Sequence, residues 1–160
     1  MALCLPLVWA CAAPAYQQRV GFAAGVSAYR LQAYNVSARV MLRLARRGDA
    51  RAQTYLGFMY ATGMGVPQNF SEAAYWMRLA ADHGRPEAQY LLGLMYDKGH
   101  GVRQDFIEAE VWLNLAAAHA DRGQRDYWAH VRDAVAGKLT LAERDDAQRR
   151  AFEWSPISER

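Results

Sequence analysis

Few side chains in this sequence could do chemistry. Its imidazoles are His83, His100, His119 and His130, and its thiols are Cys4 and Cys11. His83 and His119 stand at equivalent places in a repeated text, and no second ligand lies at metal-binding spacing from either. Both read as helix-end residues, where a partly charged imidazole is favoured by the C-terminal end of the helix dipole. No H-E-x-x-H, G-x-S-x-G or Walker loop occurs, so none of the common hydrolytic or nucleotide-binding constellations is present. The adjacent carboxylates Asp145 and Asp146 point to different faces of a helix and make a solvated pair, not an acid–base couple. Gly63-Met64-Gly65 and Gly99-His100-Gly101 could cradle a phosphate only if the loop led straight into a helix N-terminus. A Val-x-Gln segment intervenes each time, so these glycines read as helix terminators. The expectation is no catalytic residue, no metal and no cofactor.

What remains is a surface, and the elements that build it are written twice. Residues 52–83 and 88–119 align 36 positions apart with 18 of 32 residues identical. Ordinary composition would give about 2 or 3 such identities. A fixed period of this length marks stacked units, each burying its apolar face only against its neighbours. Each copy parses as helix, glycine loop, helix. Pro86 suits a first helical position, where its missing N–H is unbonded anyway. Ala88, Leu92 and Tyr96 make one buried stripe, and Ala109, Trp112 and Ala116 another, mirrored by Ala73, Trp76 and Ala80. Asp105 with Glu108, and Asn69 with Glu72, have capping-box spacing. Gly93 and Gly57 sit inside helices, where glycine costs about 1 kcal/mol against alanine. The repeated cost implies close backbone approach, with Trp112 or Trp76 expected over the bare Cα.

Thr54, Phe58 and Ala61 share a first-helix face that the buried stripe leaves free, and Tyr90, Leu94 and Asp97 match them one unit on. On a concave face this row suits a protein or peptide partner. Phe58, Tyr90 and Leu94 would supply apolar contact, and Thr54 and Asp97 hydrogen bonds. The same side chains could instead pack between neighbouring units, and the sequence leaves both readings open.

The flanks extend the array. Gly48-Asp49-Ala50 aligns with Gly84-Arg85-Pro86, making 34–47 the second helix of a degenerate preceding unit whose first helix spans 17–31. Residues 122–154 read as a degenerate last unit with a capping box at Thr140 and Glu143, and 155–160 as a frayed tail. Terminal units of such arrays are expected to be atypical, because one of their faces meets water.

Residues 1–15 carry no charged side chain and are too short to span a bilayer. They fit a secretory signal peptide cut after Ala13-Pro14-Ala15, although a basic start is missing. Removal would leave no cysteine and no stable membrane insertion, with a periplasmic or secreted chain; lipidation of Cys11 is the other reading. Net charge is +3, and the 19 basic residues comprise only two lysines, Lys98 and Lys138. They are interleaved with acids along the sequence, so no nucleic-acid partner is expected.

The pattern A-x-x-x-L-G-x-M-Y-x-x-G-x-G-V-x-Q-x-F-x-E-A-x-x-W-x-x-L-A-A resembles the Sel1-like repeat, a relative of the tetratricopeptide repeat with a longer inter-helix loop. The match is full for 50–121 and weaker for 17–48 and 122–154. The resemblance implies an all-α fold, a right-handed α-α superhelix of helical hairpins with a concave face, and a non-enzymatic scaffold role in bacterial protein complexes. Secreted cysteine-rich relatives bind or slowly hydrolyse β-lactams, which is the alternative function. This chain has no cysteine in its repeats and no Ser-x-x-Lys element.

Overall fold

The computed structural model describes residues 21–157. The expected leader 1–15, both cysteines and the expected helix start at 17–20 lie outside the described residues. Eight helices and no strand occur among the described residues. They are α1 over 21–30, α2 Tyr34–Ala45, α3 Ala50–Thr62, α4 Phe70–Asp82, α5 Pro86–Lys98, α6 Phe106–Ala118, α7 Arg125–Ala136 and α8 Leu141–Glu153. The helices α3 and α4 form one hairpin and α5 and α6 the next, while α4 packs on α5 and α2 on α3 to stack the units.

The residues shared by the two copies do the same work twice. Asn69 and Asp105 cap α4 and α6, each accepting two backbone N–H groups at 3.0–3.1 Å. Only half of the expected capping box forms there. The carboxylates of Glu72 and Glu108 accept from the indole N–H of Trp76 and Trp112, at 3.1 and 3.2 Å, rather than reaching back to the cap. The complete box is at Thr140 and Glu143. Gln53 and Gln89 are buried and donate across the turn to the Ala45 and Ala81 carbonyls, both at 3.2 Å, tying each unit to the one before. Gln68 and Gln104 donate to the Ala61 and Asp97 carbonyls at 2.8 and 2.7 Å and so fix the long loop. The last carbonyls of a helix lack a full set of partners within it, and the glutamines bind them. Ala45 and Ala81 O also accept the Gly48 and Gly84 N–H, at 3.0 and 2.8 Å, so there the glutamine is a second donor to the turn.

The loop glycines divide the labour. Gly63 and Gly99 close their helices as expected. Gly101 does more: its Cα lies against the first turn of α4, where a Cβ would fall 1.9 Å from the Phe70 carbonyl oxygen. Gly65 meets Tyr34 of α2 in the same way, at 2.2 Å. The second glycine of each loop is therefore an inter-unit contact.

Gly93 and Gly57 do mark tight helix contacts, but tryptophan is not what fills them. A Cβ on Gly93 would meet Leu113 Cγ at 2.7 Å and the Ala109 carbonyl at 3.1 Å; on Gly57 it would meet Met77 Cγ at 3.0 Å. Leu113 and Met77 each follow the tryptophan by one residue, about 100° around the helix. The tryptophans face the preceding unit instead, Trp112 beneath the guanidinium of Arg78 at 4.9 Å.

The last three elements depart from a simple stack. The helix α7 packs on α6 in the position of a next first helix, whereas α8 also takes α6 as its main neighbour and does not close a hairpin with α7. Ala147, Ala151 and Trp154 join the core made by Val111, Trp112 and Leu115. Arg150 pairs with Glu108. The helix α8 thus folds back over the outer face of α6. Residues 154–157 continue this path and are docked, not frayed. Ile157 N–H donates to the Asp82 carbonyl at 2.8 Å, His83 Nδ1 donates to the Ile157 carbonyl at 2.9 Å, and Pro156 covers Gly84.

Candidate binding surface

The first-helix face is built by α1, α3 and α5. Asp49 sets the start of α3 by accepting from the Arg51 and Ala52 backbone N–H groups at 3.1 and 3.3 Å, and Pro86 opens α5. With both starts and both glycine ends fixed, equivalent positions of the two helices come to lie side by side.

The predicted row is divided by the structure. Thr54, Phe58 and Leu94 line an open face. Phe58 is 36% exposed and Thr54 and Leu94 are half-buried. The Thr54 hydroxyl donates to the Ala50 carbonyl of its own helix at 2.9 Å, which leaves its lone pairs as acceptors for a partner. Tyr90 and Asp97 are taken up inside the fold. Tyr90 is 9% exposed and lies parallel to the Trp128 ring of α7 at 4.8 Å. Burial, reinforced by the Tyr127 phenol, raises the Tyr90 phenol above its ordinary range. Asp97 is 4% exposed and pairs with Lys98 at 2.9 Å and with Lys138 from the turn before α8. Burial alone would raise its carboxyl, but the hydrogen bonds from Lys138 and Lys98 outweigh that and hold it below its usual value. The reason is the same for both residues. The segment 125–138, α7 and the turn after it, brings Trp128 over Tyr90 and Lys138 to Asp97.

Phe58 and Leu94 meet across a cleft between α3 and α5. Its volume is about 280 Å³, and Ala61, Leu91, Met95 and Phe70 complete an almost wholly apolar lining. Lys98 and His100 stand at one end, with His100 stacked on Phe70 at 4.8 Å. A shallower depression of about 230 Å³ adjoins it through Phe58 and Leu91, bounded by Tyr29, Thr54 and Tyr55. The expected row omits Leu91 and Tyr55. The available signal was that both are large apolar residues one position after Tyr90 and Thr54, 36 apart, turned toward the neighbouring first helix.

No group of three or more His, Cys, Asp or Glu that could hold a metal ion is found among the described residues. His119 Nδ1 donates to the Leu115 carbonyl at 2.9 Å and, like His83, caps the end of its helix. No helix among the described residues is long and apolar enough to cross a membrane.

A family model described as the Sel1 repeat matches residues 50–84 and 86–121. The chain carries two Sel1 repeats. No curated protein matches it. Among solved structures it is similar to c5321, a protective antigen of uropathogenic Escherichia coli displaying an SLR fold. That likeness has 26% identity and a TM-score of 0.79, over 86% of this chain and 29% of that one. It is also similar to a Sel1 repeat protein from Oxalobacter formigenes, at 35% identity and a TM-score of 0.54, over 55% of this chain and 25% of that one. The chain therefore spans less than a third of the length of either protein. The architecture is an all-α superhelix of helical hairpins of the Sel1 type. Sel1-repeat proteins are generally protein-interaction modules, and the fold is typically a non-catalytic scaffold.

Proposed function

We propose that this chain is a non-enzymatic protein-interaction module that receives apolar side chains of a protein or peptide partner in the cleft between α3 and α5. The carrying observation is the juxtaposition of Phe58 and Leu94 across that cleft, with Leu91 continuing it toward α1. Small-molecule sites occupy about 300–1,000 Å³ and carry several convergent polar groups. This cleft is smaller than that at about 280 Å³ and nearly without polar lining, which suits one or two side chains of a larger partner. Thr54 offers an acceptor beside it, and the Lys98 and His100 end favours an acidic residue next to the inserted side chain. The place of action is the periplasm or the exterior, on the strength of the uncharged apolar stretch 1–15 followed by Ala13-Pro14-Ala15.

The test pairs Phe58→Ala with wild type in capture of partners from periplasmic extract, with circular dichroism as the folding control. Phe58 is partly exposed, so the variant is expected to fold normally and to lose capture. Central apolar anchors in such clefts are worth about 2 kcal/mol or more. Normal folding with full capture would place the binding surface elsewhere. The mass of the protein from its native host tests export, and an intact N-terminus in the cytoplasmic fraction would refute it.

A further inference from the structure

The outer face, made by the second helices α2, α4 and α6, carries a second surface. Positions 36 residues apart occupy the same place on these three helices, so the face can be compared with itself. On α6 the residues are Val111 and Leu115, each 5% exposed because α8 lies over them. On α4 the equivalent residues are Tyr75, 55% exposed, and Leu79, half-buried against the core shared with α2; among the described residues no helix takes the place of α8 over them. On α2 they are Arg39 and Arg43, and Arg46 and Arg47 continue the stripe to the helix end. All four arginines are exposed, and among the described residues no carboxylate pairs with any of them. Among the described residues the only side-chain hydrogen bond from this set is from Arg39 Nε to the Asn35 carbonyl at 3.3 Å. The turn ending the groove repeats the contrast. Gly84 lies under Pro156 of the docked tail, while nothing comes within 4 Å of a Cβ built on the equivalent Gly48.

We infer that the outer groove between α2 and α4 docks an amphipathic helix of a partner protein, one with an apolar stripe flanked by carboxylates. The helical form follows from the molecule itself, which covers the equivalent groove one unit later with its own helix α8. There the apolar contacts come from Ala147, Ala151 and Trp154, and the charge contact is Arg150 with Glu108. In the α2–α4 groove the charge requirement is inverted. Glu72, equivalent to Glu108, is exposed and among the described residues accepts only the Trp76 indole N–H, but four arginines now stand along the neighbouring helix α2. A carboxylate-bearing helix would bury Tyr75 and Leu79 and neutralise that stripe. Bidentate geometry gives arginine a preference for carboxylates beyond simple charge. In sequence these arginines look scattered. Only the helix winding gathers positions 39, 43, 46 and 47 into one stripe.

The experiment uses the full chain and a fluorescent synthetic helical peptide with alanine and leucine along one face and glutamates on both flanks. A counterpart carries lysine at every glutamate. The glutamate peptide is expected to bind at least about tenfold tighter than the lysine one, with affinity falling as salt rises. The double variant Arg39→Glu with Arg43→Glu should lose at least about tenfold, since like charges then face each other. Tyr75→Ala should weaken binding, and Phe58→Ala, in the first-helix cleft, should leave it unchanged. Circular dichroism confirms folding, and these residues are exposed enough for all the variants to fold. No preference between the peptides, or full binding by the double variant, overturns the inference. Tighter binding to duplex DNA or to phosphatidylglycerol vesicles than to the peptide reassigns the arginine stripe and overturns it too. Weakening by Phe58→Ala would put the peptide in the cleft, leaving the proposed function standing without this second surface.

Discussion

Replacing Gly93 by alanine sets helix propensity against packing at one atom. Alanine gains about 1 kcal/mol over glycine in a helix interior. The added Cβ would sit 2.7 Å from Leu113 Cγ and 3.1 Å from both Leu113 Cδ2 and the Ala109 carbonyl oxygen. Leu113 is fully buried and cannot swing away without displacing its neighbours, and the Ala109 carbonyl is backbone. Overpacking of this kind costs about 1–3 kcal/mol, so the expected net loss is about 1 kcal/mol. In a chain of this size that lowers the melting temperature by about 2–4 °C. The equivalent Gly57→Ala is the internal control. Its Cβ would meet Met77 Cγ and Cε at 3.0 and 3.1 Å and the Ala73 carbonyl oxygen at 3.2 Å; the backbone obstacle is shared, but the methionine is unbranched and adapts more readily than leucine. Gly57→Ala should therefore cost less than Gly93→Ala, and Gly93→Leu should be worse than Gly93→Ala. The assay is thermal and urea unfolding of the three variants, followed by the far-ultraviolet circular dichroism of their helices. A midpoint for Gly93→Ala at or above wild type would refute the reasoning, because it would show that α5 and α6 have room between them.

Glu110 is 3% exposed, its Oε2 has no hydrogen-bond partner, and burial raises its carboxyl despite Arg132 nearby. An acid with a raised folded pKa binds its proton more tightly when folded, so stability falls as pH rises through the interval above the unfolded value. Glu110→Gln should therefore raise the unfolding midpoint at pH 7 and change it less near pH 4; equal effects at both would refute this. Asp97 has the opposite sign. Its lowered carboxyl contributes stability above the unfolded value, near pH 4, and loses it as pH falls through the folded one. Asp97→Asn should melt below wild type at pH 7, with the gap narrowing in acid, and a constant gap would count against the Lys138 pairing as its cause. Trp154→Ala removes the ring that packs on Trp112 at 6.3 Å and lies near Gly84. A fully buried aromatic costs about 3–5 kcal/mol on truncation, so this half-buried one should cost roughly 2, and an unchanged melt would mean the tail is not docked.

Local rules made much of this molecule legible in its sequence. Helix starts at Asn69, Asp105, Thr140 and Pro86, and helix ends at Gly63 and Gly99, depend on groups within a few residues of each other. The 36-residue period then carried each local solution to the next unit, which fixed the stacked hairpins and placed Phe58 beside Leu94. Tertiary structure alone decided what lies across each helix face. It put Leu113, not Trp112, against Gly93, because a shift of one residue turns a side chain to a different neighbour. Tyr90 became core and Phe58 stayed open, although they occupy the same free face of successive units, since the Trp128 ring of α7 stacks on Tyr90 and Phe58 is left 36% exposed. The return of α8 over α6 and the docking of Ile157 on Asp82 join residues 42 to 75 positions apart. No periodicity runs through residues 122–157, so the sequence there names helices without naming what they pack against. The stripe of Arg39, Arg43, Arg46 and Arg47 belongs to the same class: its spacing is in the sequence, but its lack of carboxylate partners is a property of the folded surface.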